Sequence, residues 1–344
     1  MNPQDKTLLI TGGAGYIGSH TVRMLAEKGF KIIVIDNLVY GHRQAIISPG
    51  VQLVEKDLGD REAMEKIFSE NDIDAVIHFA AYAYVGESVT EPAKYYDNNM
   101  VRPLVLLEVM KKFGCKKFIF SSTCATYGNP VYTPIDENHP QDPINPYGQS
   151  KLMLEKILKD YHKAYGLNYV FLRYFNASGA AEDGLIGEDH NPETHLIPLI
   201  IEAGQGVRPH ITVFGTDYDT PDGTGIRDYI HVLDLGKAHY QAYEYLEKGG
   251  QPVACNLGTG RGYSVKEVIE IVEEVTGLKI PVQYGERRAG DPPRLVANAD
   301  HAKNVLGWEA DYKDLRDTVR TAWKWHKGEN KGRYASMDNL VNAK

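Results

Sequence analysis

The chain has 344 residues, with 38 Lys and Arg against 46 Asp and Glu, for a formal net charge of −8. Its 42% apolar and 24% charged residues match an ordinary globular protein, which excludes disordered, collagenous and fibrous chains. The acidic balance argues against nucleic acid as a partner, and at ~150 residues per domain the length predicts about two domains.

The start, Met1-Asn2-Pro3-Gln4-Asp5-Lys6, lacks a basic stretch followed by an apolar one, and no run approaches the ~18 apolar residues of a membrane span. The expectation is a cytoplasmic protein without a membrane partner. Cys115, Cys124 and Cys255 contain no C-x-x-C pair, so neither a disulfide framework nor a cysteine zinc site is expected. The 12 histidines show no H-E-x-x-H or other familiar zinc-ligand spacing, so no metal is expected either.

Short β-branched runs alternate with helical stretches through the first half, the pattern of an α/β protein with a doubly wound parallel sheet. Strands are predicted at Thr7 to Ile10, Lys31 to Ile35, Gln52 to Val54, Ala75 to Phe79, Lys117 to Phe120 and Asn168 to Leu172. Helices are predicted at Ser19 to Lys28, Glu62 to Phe68 and Val101 to Phe113. Right-handed crossovers between such strands build a Rossmann-like sheet.

Between the first strand and first helix, Gly12, Gly15 and Gly18 stand at G-x-x-G-x-x-G spacing. Glycines there permit a tight turn and close approach of a diphosphate to amides at a helix N-terminus, where the helix dipole favours negative charge. Asp36 ends the second strand, placed to accept hydrogen bonds from the adenosine ribose hydroxyls and to repel a 2′-phosphate. NAD is therefore the expected cofactor rather than NADP. Asp57, after the third strand, is a candidate for holding the adenine.

Asn145-Pro146-Tyr147 opens a further helix, since Asn suits the N-cap and Pro the first helical position. Tyr147 and Lys151 then share one helix face at i and i+4. A phenol of pKa about 10 is a weak base at neutral pH, and a nearby ammonium together with a cationic nicotinamide favours the phenolate. Tyr147 is the candidate base and Lys151 its partner. Ser122 and Thr123, closing the preceding strand, offer hydroxyls to the reacting oxygen.

Beyond Asn176 the texture changes, with Gly, Pro and Asp dense from Ser178 to Asn191 and from Gly215 to Gly225. Helices are predicted at His195 to Ala203 and after Ser264, where Ser264 and Glu267 have capping-box spacing. This predicts a Rossmann-like domain at 1–176, to which parts of 230–262 return, and a smaller mixed α/β substrate domain at 177–330. The tail after about Gly328 reads as polar and loosely held.

With these residues in place the chain resembles the extended short-chain dehydrogenase/reductases, and within them the UDP-glucose 4-epimerase branch, over nearly its whole length. The segments that carry the resemblance are Thr11 to Gly18, Asp36-Asn37-Leu38, His78-Phe79-Ala80, Val85 to Ser88, Tyr95 to Asn99, Tyr147 to Lys151, Leu172 to Asn176 and Asp222 to Val232. The resemblance implies NAD contacts from Tyr16, Ile17, Asp36, Asn37, Asp57 and Leu58. It adds Phe79, Ala80, Asn98, Tyr147, Lys151 and Phe175. For a UDP-sugar substrate it implies Thr123, Tyr147, Asn176, Leu196, Thr212, Phe214, Arg227, Arg288 and Asp291, the two arginines suiting a diphosphate.

The implied reaction interconverts UDP-glucose and UDP-galactose through transient oxidation at sugar C4, in a homodimer. Leu295 aligns with the position facing the sugar's 2-substituent, a bulky Tyr in some relatives, so N-acetylated UDP-sugars are expected to be admitted. Ala83 and His195 depart from residues many members carry, a Lys and an Asn respectively. Cys124 and Ala125 replace the acid pair that nucleotide-sugar dehydratases place after the active-site Thr, which argues against dehydration. The alternatives are a UDP-uronate 4-epimerase and a non-catalytic NAD-binding protein.

Overall fold

The computed structural model describes residues 2–288, 291–328 and 332–334. The expected loose tail after Gly328 lies outside the described residues apart from 332–334, as do Ala289 and Gly290 between Arg288 and Asp291. The first half runs β1 (Thr7–Thr11), α1 (Tyr16–Glu27), β2 (Lys31–Asp36), β3 (Gln52–Glu55), α2 (Arg61–Glu70) and β4 (Ile73–His78). It continues through α3 (Val85–Thr90), α4 (Pro92–Tyr96), a π-turn at 97–101, α5 (Arg102–Phe113), β5 (Lys117–Thr123), α6 (Pro146–Tyr165) and β6 (Asn168–Tyr174). The second half adds β7 (Asn176–Ser178), α7 (Leu196–Gly204), β8 (Ile211–Phe214), β9 (Ile226–His231), α8 (Val232–Glu247), β10 (Val253–Leu257) and β11 (Gly262–Ser264). It closes with α9 (Val265–Thr276), β12 (Val282–Gly285), β13 (Arg294–Leu295), α10 (Asp300–Leu306) and α11 (Leu315–His326).

Seven strands form one parallel sheet in the order β10-β6-β5-β4-β1-β2-β3, so the expected doubly wound sheet is present. The strands read as unbroken apolar runs because both faces are covered. In β1, Leu8 and Ile10 enter one apolar layer with α1 and α8, while Leu9 enters the other with α2, α5 and α6. The strand order reverses between β1 and β4, and a crevice opens there beyond the strand ends.

β10 pairs with β6 and α8 packs on α1, so part of 230–262 lies on the large sheet. Two small sheets stand beyond it. β9 gathers β11, β13 and β7, and β8 pairs with β12. A separate apolar cluster from α7, α9 and α11, with Ile211, Val213 and Tyr229, fills this smaller unit.

Local sequence explains the helix ends that matter here. The Asn145 side chain accepts from the Gly148 amide at 2.8 Å and Pro146 takes the first turn of α6. Ser264 and Glu267 form the expected capping box on α9. Several boundaries shift by a residue or two, and two shifts bear on the site. α1 begins at Tyr16, inside the glycine loop, not at Ser19. β5 runs on through Thr123, not ending at Phe120, because Ser121, Ser122 and Thr123 continue the ladder opposite Leu172, Arg173 and Tyr174. Pairing with β6 overrides the turn character of a Ser-Ser-Thr run.

Candidate active site

A cleft of about 450 Å³ opens at the crevice and extends toward the smaller unit. Its floor is the glycine loop. At Gly12, with φ +70°, a Cβ would stand 2.5 Å from the Ala80 amide nitrogen, and a Cβ at Gly18 would collide with the Gly12 carbonyl. Only glycines let β1, α1 and the β4 end approach this closely. Gly15 caps α1 without a side-chain bond, and Tyr16, Ile17 and Gly18 line the cleft, so the first amides of the helix are placed for an anion.

Asp36 sits at the end of β2, mostly buried, with Oδ2 accepting from the Ala14 amide at 3.0 Å and Oδ1 from the Leu38 amide at 2.9 Å. Burial pushes its carboxyl up, while those two amides pull it down. Each oxygen retains acceptor capacity for a ribose hydroxyl. Asn37 donates to Asp57 at 2.9 Å and Arg102 pairs with the same carboxylate, beside Leu58. Phe79, Ala80, Asn98 and Phe175 complete this end of the wall. The cradle, the amides and a carboxylate at the β2 end fit an adenine dinucleotide.

The other end of the cleft holds Thr123, Tyr147 and Lys151. Thr123 Oγ1 accepts from the Ala125 amide at 3.1 Å and lies beside the Tyr147 phenol. Burial raises the phenol's pKa, the nearby Tyr174 phenol raises it further, and the Thr123 hydroxyl lowers it against both. Lys151 is 3% exposed, and burial lowers it to about 7 against a lift from Glu155. Its ammonium donates to the Ser121 carbonyl and stands 4.9 Å over the Phe120 ring.

Ser122 is a correction. Strand alternation turns its hydroxyl away from Thr123 and toward α6, where it donates to Glu155 at 2.7 Å, and it does not line the cleft. Glu155 in turn holds Arg173 through two hydrogen bonds of 2.9 and 2.6 Å, both side chains almost wholly buried. This buried pair locks α6 onto β6 behind Tyr147 and Lys151.

Toward the smaller unit the cleft is lined by Asn176, Arg227, Asp291 and Leu295, Arg227 being ion-paired with Asp291. Four expected substrate residues stand outside its lining. Leu196 opens α7 against the small core, and Thr212 lies in β8 opposite Gln283. Phe214 ends β8 beneath the Arg288 guanidinium, 4.0 Å from its ring centroid. Arg288 borders an adjoining hollow with Tyr218 and Arg287, and Asp291 touches both spaces. Tyr82, Tyr84, Cys124, Tyr174, His190 and His195 also line the cleft. Sequence reasoning gave them no binding or catalytic role, and Tyr82, Tyr84 and His190 belong to no local motif. Ala83 is a liner too.

The sequence profile of the NAD dependent epimerase/dehydratase family matches residues 8–258. A Streptococcus mutans UDP-glucose 4-epimerase is 52% identical over 327 residues, covering 94% of this chain and 98% of the relative. A Brucella ovis UDP-glucose 4-epimerase solved in complex with NAD has a TM-score of 0.90 at 50% identity, covering 92% of this chain and 97% of that one. A UDP-Glc/GlcNAc 4-epimerase from Campylobacter jejuni has a TM-score of 0.83 at 43% identity, covering 94% of this chain and 99% of that one.

Proposed function

Since the chain belongs to the NAD dependent epimerase/dehydratase family, with NAD as its cofactor, we propose that it is an isomerase that interconverts UDP-glucose and UDP-galactose at sugar C4. The observation that carries this reading is one cleft that joins the glycine loop and Asp36 to Thr123, Tyr147 and Lys151, with Arg227 at its far end.

NAD, when bound, supplies a hydride acceptor for C4 and a donor for its return. The chain's own residues do the rest. Tyr147 takes the proton from the sugar O4 hydroxyl as the C4–H bond breaks, and returns it when the bond re-forms on the other face of the 4-keto sugar. Thr123 hydrogen-bonds the reacting oxygen beside the phenol. Lys151 holds positive charge and the ribose hydroxyls near the phenol. Arg227, held by Asp291, meets the diphosphate about which the sugar turns. The low polarity of the wall around Phe175 and Leu295 keeps water from the ketone.

The finer reading extends to UDP-N-acetylglucosamine and UDP-N-acetylgalactosamine, supported by Leu295 on the cleft wall, where a branched aliphatic leaves room beside a 2-substituent. Residues 1–176 with the returning α8 and β10 serve the cofactor, and 177–330 serve the sugar nucleotide. A homodimer belongs to the same reading, supported by exposed Val89 on α3 and exposed Val101 in the π-turn before α5. Three free cysteines accord with a reducing, cytoplasmic setting. No helix among the described residues is long and apolar enough to cross a membrane.

The test is to purify the protein without added cofactor, record the absorbance of bound nicotinamide and follow UDP-galactose by NMR. Conversion to UDP-glucose without added NAD supports the reading. Bound NAD with no change in either UDP-hexose refutes the substrate, and UDP-N-acetylhexosamines and UDP-uronates are then tried in turn.

A further inference from the structure

The loop between β7 and α7 folds four metal-ligating side chains onto one point. One donor atom each from Glu188, His190, Glu193 and His195 lies within 4.8 Å of every other. His195 Nδ1 is 2.7 Å from Glu188 Oε1 and 3.0 Å from Glu193 Oε1. His190 Nδ1 is 3.2 Å from Glu188 Oε1 and 3.7 Å from Glu193 Oε2. Donors about 2.0–2.1 Å from a tetrahedral ion stand roughly 3.3 Å apart, and these separations straddle that value.

A second observation points the same way. Glu188 Oε1 and His190 Nδ1 are buried and, although they stand 3.2 Å apart with His195 Nδ1 close by, no well-aligned hydrogen bond satisfies either. Buried polar atoms are ordinarily satisfied, and leaving one unsatisfied is destabilising. Two such atoms facing each other inside a histidine–carboxylate cluster are arranged for a ligand that accepts lone pairs from both.

The cluster is also held in place before any ion arrives. The Glu193 Oε1 oxygen accepts from the Thr194 and His195 amides at 2.7 and 2.8 Å, which fixes that carboxylate and directs Oε2 toward His190. Trp325 Nε1 on α11 donates to the Glu188 carbonyl at 2.9 Å. His190 is wedged edge-on between the Tyr16 and Tyr84 rings, each 6.2 Å away by centroid. Such outer contacts orient metal ligands.

We propose that Glu188, His190, Glu193 and His195 form a binding site for a divalent transition-metal cation of the zinc class. Two imidazole nitrogens and two carboxylate oxygens suit zinc rather than calcium or magnesium, which take six or more oxygens. Four protein donors close the coordination sphere, so the ion braces structure and takes no part in chemistry. The spacing Glu-x-His-x-x-Glu-x-His lies outside the familiar zinc patterns. The site ties the loop to the start of α7, with His190 and His195 on the cleft wall beside Tyr16 of the glycine loop.

The experiment uses the full chain, stripped with a chelator and checked by circular dichroism for retained fold. Zinc is titrated calorimetrically, bound metal is counted by mass spectrometry after gel filtration, and cobalt substitution reports geometry through its visible absorption. The expected result is one equivalent of zinc per chain, tetrahedral cobalt bands and a raised melting temperature on zinc addition. His190→Gln and Glu188→Gln each weaken zinc at least tenfold and abolish the cobalt bands. Should either variant misfold, His195→Asn serves as the second reading of the same loss. Failure of the folded wild-type chain to bind a stoichiometric ion overturns the proposal, as does equal binding by the folded variants.

Discussion

Lys151 donates a 2.9 Å hydrogen bond to the carbonyl of Ser121, so the ammonium on the cleft wall is tied to the last residues of β5. That bond joins the strand carrying Thr123 to the helix carrying Tyr147. The three side chains therefore sit on one β5–α6 frame, and the Glu155–Arg173 pair braces that frame from behind.

Removing the phenolic oxygen isolates the chemical step. Tyr147→Phe keeps the ring and its packing but deletes the base, which contributes on the order of 10²- to 10⁴-fold in such transfers. The variant is expected to retain bound NAD, read by absorbance, while turnover of UDP-galactose falls by at least a hundredfold. Loss of NAD together with turnover would show that Tyr147 acts on the cofactor alone.

Ser122 and Thr123 are neighbours in sequence and separate in role. Ser122→Ala removes a buried donor to Glu155, and is expected to cost about 1–3 kcal/mol in urea unfolding with kcat within about twofold of wild type. Thr123→Val removes the hydroxyl beside Tyr147, which also accepts from the Ala125 amide, and is expected to lower kcat at least tenfold at a stability cost of about 1 kcal/mol. Equal effects of the two substitutions on kcat would contradict the side-chain directions of β5.

The contrast shows what the sequence could reveal. The glycine loop, Asp36 and the Tyr147/Lys151 pair were legible because each is local: a strand end, a turn and one helix face bring them together within a few residues. Ser122 and Thr123 both close β5 and both carry hydroxyls, and only the alternation of side chains along the paired strand decides that Thr123 faces the cleft while Ser122 faces Glu155. Leu196, Thr212, Phe214 and Arg288 came from resemblance alone, and their distance from the cleft lining depends on how β8, α7 and the segment before Asp291 pack. The Glu188 to His195 cluster has no periodic signature, because a loop path and not a helix or strand converges its ligands.

Glu155 and Arg173 make a buried ion pair whose halves cannot be separated cheaply. Removing one partner leaves an unpaired buried charge, at about 3–5 kcal/mol. Glu155→Ala is expected to lower unfolding stability by that amount and to reduce turnover through displacement of α6. A loss under about 1 kcal/mol, measured by the urea midpoint at constant m-value, refutes the bracing role.

Lys151 also predicts a pH dependence of stability in the cofactor-free protein. Burial lowers its folded pKa to about 7, whereas the unfolded side chain keeps its ordinary value of 10.5. Between these values the unfolded chain binds the extra proton, so this group makes folding more favourable as pH rises from about 7 toward 10.5. Each unit of separation corresponds to ~1.4 kcal/mol, several kcal/mol across the window. Lys151→Met removes the titration while filling the same space. The variant is therefore expected to exceed wild type in stability most at pH 6.5 and progressively less by pH 9.5, measured by urea unfolding of both proteins at each pH. A stability difference that stays constant across that range would mean that the lysine keeps its proton in the folded cleft, held by groups facing it there, and that a charged Lys151 is available to Tyr147 before the cofactor arrives.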